Sequence, residues 1–184
     1  MINMFKKYST KVKDEKLFDG NDGLFKEILL KNTKVYAEYG CGDSTQWVAK
    51  RTNATIYSID TSREWIEKVQ GCSDKLDNMK FVDLGRVGDW GVPIDYSKRD
   101  RFIDYSDWIW RQKLTPDTIL IDGRFRVCCF LTSLKNAKQG AQIIFDDYVD
   151  RPFYHIVEEF IQRESTDGRQ CLFIVPNKSK IDID

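Results

Sequence analysis

Three groups of side chains in this sequence can do chemistry. The first is the run Glu38-Tyr39-Gly40-Cys41-Gly42-Asp43-Ser44-Thr45, where two glycines leave bare backbone for a ligand to approach. A dinucleotide loop wants a third glycine, so that a pyrophosphate can reach the helix N-terminus; Thr45 stands in that place. Glu38 ahead of the glycines is a poor neighbour for a diphosphate and a good one for a cation. Asp60 follows Gly42 by about 18 residues, the distance at which an acid can accept from both hydroxyls of a ribose.

The second group is Asp122, Asp146 and Asp147, all expected at strand ends. Three converging carboxylates suit a hard cation with oxygen ligands. The other reading is an acid that orders a loop (Asp122), a helix cap (Asp147) and a solvated side chain (Asp146). The third group is Arg124, Arg126 and Arg151, whose guanidinium groups suit a phosphate, sulfate or carboxylate at the mouth of a cleft. Internal pairing with Asp122, Asp146, Asp147 or Asp150 is the other reading. His155, the only histidine, is a candidate general base or a packing residue. Trp90 is a candidate wall for a ligand pocket or part of the core.

These residues need a frame. Val35–Tyr39, Thr55–Ile59, Lys80–Leu84, Thr118–Ile121 and Gln142–Phe145 are short apolar or β-branched runs, each stopping at or near a glycine or an acid, as buried parallel strands do. Helices are expected over Leu24–Lys31, Gln46–Arg51, Arg63–Val69, Tyr105–Gln112 and Phe125–Ala137, and from Pro152 to about Phe160. Ile161–Ser165 and Gln170–Val175 read as a closing hairpin, with the first of them alternatively a helix tail. Gly85–Arg101 is a long loop, and such loops are usually functional.

The pattern predicts an α/β fold: a Rossmann-like, doubly wound, mostly parallel sheet with a C-terminal antiparallel hairpin. Residues 1–23 read as a loose lead-in and 24–184 as a single domain. In such sheets ligands lie at the carboxyl ends of the strands, where the strand order reverses. The candidate residues cluster there.

Composition narrows the class. Hydrophobic residues make up 41% and charged residues 32%, the balance of an ordinary soluble protein. Basic and acidic residues balance at 29 each, so no global field favours nucleic acid or anionic lipid. No apolar run approaches a membrane span, and Met1–Lys16 lacks the apolar stretch of a secretory signal. The expectation is a cytoplasmic protein with no membrane or nucleic-acid partner. Cys41, Cys72, Cys128, Cys129 and Cys171 form no C-x-x-C pair and read as small buried hydrophobes in a reducing compartment.

S-adenosylmethionine answers the first group well, having an ammonium, a sulfonium and a ribose. The sequence resembles the class I S-adenosylmethionine-dependent methyltransferases on this basis: Glu38, Gly40 and Gly42 match their acid-then-G-x-G motif, and Asp60 matches the acid ending strand two. A closer resemblance is to small methyltransferase-like proteins of unassigned substrate, through Tyr39–Thr45, Gly88–Pro93, Ile121–Val127 and Asp147–His155. The segments Ile121-Asp122-Gly123 and Phe145-Asp146-Asp147-Tyr148 are similar to those of macrocin-type and catechol-type O-methyltransferases. That likeness implies magnesium on Asp122, Asp146 and Asp147.

The resulting expectation is an O-methyltransferase for a small-molecule or glycan-like acceptor, an anionic one among the alternatives. Glu38, Gly40, Cys41, Gly42, Ser44, Thr45, Asp60 and Asp122 would hold the cofactor. Asp122, Asp147 and His155 would serve catalysis, and Trp90, Arg124, Arg126 and Arg151 the acceptor. Two other readings stand beside it: a binding or scaffold protein that kept the fold without the transfer, and a nicotinamide-dependent oxidoreductase. Oligomeric state is not legible.

Overall fold

The computed structural model describes residues 15–177 and Ser179. Helix α1 spans Gly23–Asn32 and leads into strand β1, Val35–Tyr39. Then follow α2 (Asp43–Arg51), β2 (Thr55–Asp60), α3 (Arg63–Gln70) and β3 (Met79–Phe81). After the long loop come α4 (Phe102–Asp107), β4 (Thr118–Ile121), α5 (Arg126–Asn136) and β5 (Gln142–Phe145). Strands β6 (Ser165–Asp167) and β7 (Gln170–Ile174) complete the sheet.

The sheet order is β3-β2-β1-β4-β5-β7-β6. The first five strands pair in parallel, and β7 pairs antiparallel with both β5 and β6. The chain winds outward from β1 to β3, returns to β4 beside β1, and then winds the other way. The reversal therefore lies between β1 and β4, the Rossmann-like arrangement expected.

Both faces of the sheet are covered, so its central strands are apolar on both sides. The period of two sorts their residues. Ala37, Tyr39, Ile119, Ile121, Ile143 and Phe145 enter one core, with Phe130 and Cys129 of α5 and Tyr105 and Ile109. Tyr36, Leu120 and Ile144 enter the other, with Phe25 and Ile28 of α1 and Trp47 and Val48 of α2. Complete burial of a ring such as Phe130 or Phe145 stabilises by roughly 1.5–3 kcal/mol.

Several local expectations need correction. Strand β3 is the short Met79–Phe81 rather than Lys80–Leu84. The hairpin's first strand is Ser165–Asp167, shifted toward the turn, because Gly168 (φ 55°) and Arg169 form a two-residue connection there. Residues 152–159 wind as a 3-10 helix, and α4 gives way to 3-10 geometry over Trp108–Arg111. Both Trp108 and Trp110 pack on the core, and Trp110 Nε1 donates to the Tyr39 hydroxyl at 2.9 Å.

Residues 1–14 of the expected lead-in lie outside the described residues, but its remainder is not loose. Leu17 is buried, its N–H donates to Asp22 Oδ2 at 2.8 Å, and Phe18 packs edge-on against Phe25. All five cysteines are free; Cys41, Cys129 and Cys171 are buried as expected, whereas Cys72 and Cys128 are exposed. Among the described residues no helix is long and apolar enough to cross a membrane.

Candidate functional site

The glycine loop is shaped from below by Glu38. On β1, Glu38 follows Tyr36 by two residues and so shares its face, beneath the start of α2. It is fully buried and accepts hydrogen bonds from the hydroxyls of Tyr36 (2.7 Å), Ser44 (2.9 Å), Ser58 (2.8 Å) and Thr45. Thr45 Oγ1 in turn accepts from the Gly42 N–H at 2.8 Å. Burial pushes the Glu38 carboxyl up to about 7, with the four hydroxyls holding it down against that rise. Neither Glu38 nor Thr45 lines the cleft above, so both act on a ligand through the shape of the loop.

Asp60, at the end of β2, holds the loop from the side. One carboxylate oxygen accepts from the Cys41 N–H at 3.0 Å and the other from the Ser62 N–H at 2.8 Å. Ser62 caps α3, which places Trp65 so that its Nε1 donates to the Cys41 carbonyl at 2.5 Å. Gly40 takes a left-handed φ of 95°, and a Cβ there would lie 2.8 Å from Gly123 Cα. Only glycine lets the ends of β1 and β4 approach so closely.

Above these residues opens a cleft of about 940 Å³, within the usual range for small-molecule sites. Of the candidate residues, Gly40, Cys41, Gly42, Ser44, Asp60, Trp90, Asp122, Arg124, Arg126, Asp147 and Arg151 border it. Backbone strain gathers here too. Among the described residues the non-glycine positions with left-handed φ are Phe18, Asp19, Trp90, Phe125 and Asp147. Four border the cleft, and Phe125 joins Arg124 to Arg126 at its edge.

The acids and arginines at the ends of β4 and β5 form one network. Arg126 is buried and donates to the carbonyls of Gly123 (3.1 Å), Asp146 (2.6 Å) and Asp122 (2.9 Å), and to Asp122 Oδ1 at 2.9 Å. It also pairs with Asp147 at 3.2 Å. Arg169, from the hairpin turn, grips Asp146 through both carboxylate oxygens (3.1 and 2.7 Å) and pairs with Asp147 at 3.4 Å. Arg151 pairs with Asp147 at 2.8 Å. Burial first, then the charges of Asp146 and Asp147, push Asp122 up to about 7, against the pull of Arg126 and Arg169.

No protein-family model and no curated protein sequence matches the chain. Solved structures do. A methyltransferase-like protein from Silicibacter pomeroyi is 29% identical, with a TM-score of 0.78 over 88% of each chain. The fold is that of the class I S-adenosylmethionine-dependent methyltransferases. An O-methyltransferase from Bacillus cereus, solved with S-adenosylhomocysteine, is 16% identical with a TM-score of 0.60, over 88% of this chain and 82% of that one. An RNA methyltransferase from Salinibacter ruber, also with S-adenosylhomocysteine, is 12% identical with a TM-score of 0.51, over 92% and 99%. The methyltransferase fold thus serves unlike acceptors, and fold alone does not choose among them.

The cleft fits such a cofactor in its own terms. The loop at Gly40–Gly42 presents no side chain larger than that of Cys41, and Asp60 places a carboxylate at the end of the neighbouring strand. Magnesium does not fit. Ligand oxygens of Asp122, Asp146 and Asp147 do lie within 4.8 Å of one another. Yet Asp146 is fully buried with both oxygens engaged, and Arg126, Arg151 and Arg169 already neutralise all three acids. Magnesium needs open oxygens in near-octahedral order.

Two more expectations need correction. Arg126 is not a free anchor for an acceptor, because its guanidinium is spent inside the network. His155 does not border the cleft; its ring stacks on Tyr148 at 4.8 Å and Nε2 lies 3.1 Å from the Tyr148 carbonyl. Arg124 differs from its neighbours: half-buried at the cleft, its side chain pairs with no other described residue, while its N–H donates to the Tyr105 hydroxyl at 3.2 Å.

Sequence reasoning passed over Arg169, Trp65, Tyr105 and the segment Lys16–Asp19, which all border the cleft. For Trp65 a signal existed, since it lies three residues beyond the cap of the helix that follows Asp60. Arg169 reaches the site only because a hairpin folds back across the sheet, and no local pattern encodes that.

Proposed function

We propose that the protein transfers a methyl group from S-adenosylmethionine to an oxygen of a small, anionic acceptor. The observation that supports this most is the glycine loop at the reversal between β1 and β4, with Asp60 beside it at the end of β2. A carboxylate there suits the ribose hydroxyls, and bare backbone suits the remainder of the cofactor. When bound, the cofactor supplies an activated methyl: the acceptor oxygen bonds to the methyl carbon as the sulfur–carbon bond breaks, and its electron pair returns to sulfur.

Displacement of this kind asks the protein mainly to position reactants and remove a proton. Asp122 takes the acceptor's hydroxyl proton. Its carboxyl, held up near neutrality, has the affinity a base needs at working pH, and about 30% of the side chain faces the cleft. Arg124 orients the acceptor through an anionic group, with Arg151 at the rim and Trp90 as an exposed aromatic wall.

Calorimetry with S-adenosylhomocysteine, followed by product detection across a panel of hydroxylated carboxylates and phosphates, tests the reading. Uptake with turnover of an anionic acceptor is the expected result. Uptake without turnover would favour a non-catalytic binder, and no uptake by folded protein would end the methyltransferase case. Arg124→Gln should weaken the acceptor by about tenfold and leave cofactor affinity in place.

A further inference from the structure

Arg169 stands where sequence gave no reason to look. It comes from the turn between β6 and β7 and reaches back over the end of β5. Nε and one N–H of Nη2 bind Asp146, and Nη1 binds Asp19 Oδ2 at 2.9 Å. Gln170 adds a donor to Asp146 Oδ1 at 2.9 Å. On the other side of the trio, Arg126 spans Asp122 and Asp147. Between them the two guanidinium groups engage both oxygens of Asp146, both of Asp147 and Oδ1 of Asp122, which leaves few open to a cation.

Charge and donor counts agree with that substitution. Three acids face three arginines, and the trio's negative charge is already met. A guanidinium offers five N–H donors. Arg169 uses three in the bonds above and keeps a quarter of its side chain exposed, at the wall of the cleft. Its partner Asp19 is 90% exposed, and an ion pair that open to water contributes little. The positive charge on this side of the cleft is built into the chain and fixed by a buried acid.

We propose that Arg169, with Arg126 beside it, replaces a divalent cation at the acid trio, so that Asp122, Asp146 and Asp147 bind no magnesium. In an O-methyltransferase that relies on a cation, the ion supplies positive charge beside the acceptor oxygen. Here guanidinium supplies it, at a fixed place and without exchange with solvent. That last consequence rests on the methyl-transfer reading; the refusal of metal does not.

The test needs neither cofactor nor acceptor, so failure of the methyltransferase reading cannot be confused with failure of this one. Manganese is titrated into the full chain and followed by electron paramagnetic resonance, for the wild type, Arg169→Met and Arg169→Lys. The wild type should hold no bound manganese at millimolar ion. Arg169→Met removes the guanidinium from Asp146 and one of the three that pair with Asp147, and should gain affinity by about tenfold or more, whereas Arg169→Lys, which keeps the charge, should not. Tight binding of one manganese by the wild type, abolished by Asp122→Asn, would overturn the proposal. So would a folded Arg169→Met that gains nothing. If Arg169→Met does not fold, as circular dichroism will show, the wild type and Arg169→Lys decide: manganese bound by either overturns it.

Discussion

Gly40 and Gly123 touch backbone to backbone at the carboxyl ends of two adjacent strands. A Cβ on Gly123 would stand 2.8 Å from the Gly40 nitrogen and 2.1 Å from the Tyr105 hydroxyl. Gly123→Ala must therefore push β1, β4 or Tyr105 aside. We expect a loss of about 1–3 kcal/mol in urea denaturation, the usual cost of overpacking, together with weaker binding of S-adenosylhomocysteine. A variant as stable as the wild type would show that the contact is not tight.

Asp60 serves the loop and, in the proposed function, the ribose. Asp60→Ala removes the acceptor of two backbone N–H groups as well as the ligand's carboxylate. Affinity for S-adenosylhomocysteine should fall by at least about tenfold in calorimetry, since a hydrogen bond to a charged group contributes about 1.5–3 kcal/mol. Unchanged affinity would remove the main support for the cofactor's placement.

Glu38 and Asp122 give stability a distinct pH profile. Both carboxyls are held above their ordinary values of 4.5 and 3.8, at about 7, chiefly by burial. Between those limits the folded chain binds more protons than the unfolded chain, so stability falls as pH rises. The contribution is complete below about pH 4 and is lost by the time pH passes 7. Urea denaturation from pH 5 to 8 should show that decline, and Glu38→Gln should flatten it by a few kcal/mol at most. A slope identical in the variant would place Glu38 outside the titration.

Trp90 is 88% exposed and holds a left-handed φ of 58°, an uncomfortable conformation for a bulky residue. Neighbouring Gly91 lies against Thr61, so the loop is seated beside the end of β2. Trp90→Gly should raise stability by about 1 kcal/mol while weakening ligand binding, which separates strain kept for binding from strain without purpose. Greater stability with unchanged affinities for both cofactor and acceptor would remove Trp90 from the site.

The sequence shows the sheet well because its strands obey simple rules. Val35–Tyr39, Thr55–Asp60, Thr118–Ile121 and Gln142–Phe145 are apolar runs stopped by glycine or acid, and the cleft residues sit at those stops. What it hides is direction and distance. Glu38 was expected to face a ligand, but the two-residue period turns it under the loop, into four hydroxyls from three different elements. Arg126 could be read either as an acceptor anchor or as an internal partner of the acids, and only the fold chooses the second; Arg169 looks like any surface arginine along the chain, because Asp146 meets it only in the folded sheet. His155 drew notice by being alone of its kind, and rarity of type carries no geometric content.

The turn that carries Arg169 also ties distant parts of the chain together. Asp19, Asp146 and the carbonyl that receives the Tyr148 N–H all meet at this one residue. Amide exchange along β6 and β7 should therefore slow when a ligand fills the cleft, although none of those strand residues borders it. An edge of the sheet that a casual eye would discard as trim would then serve as a gauge of occupancy.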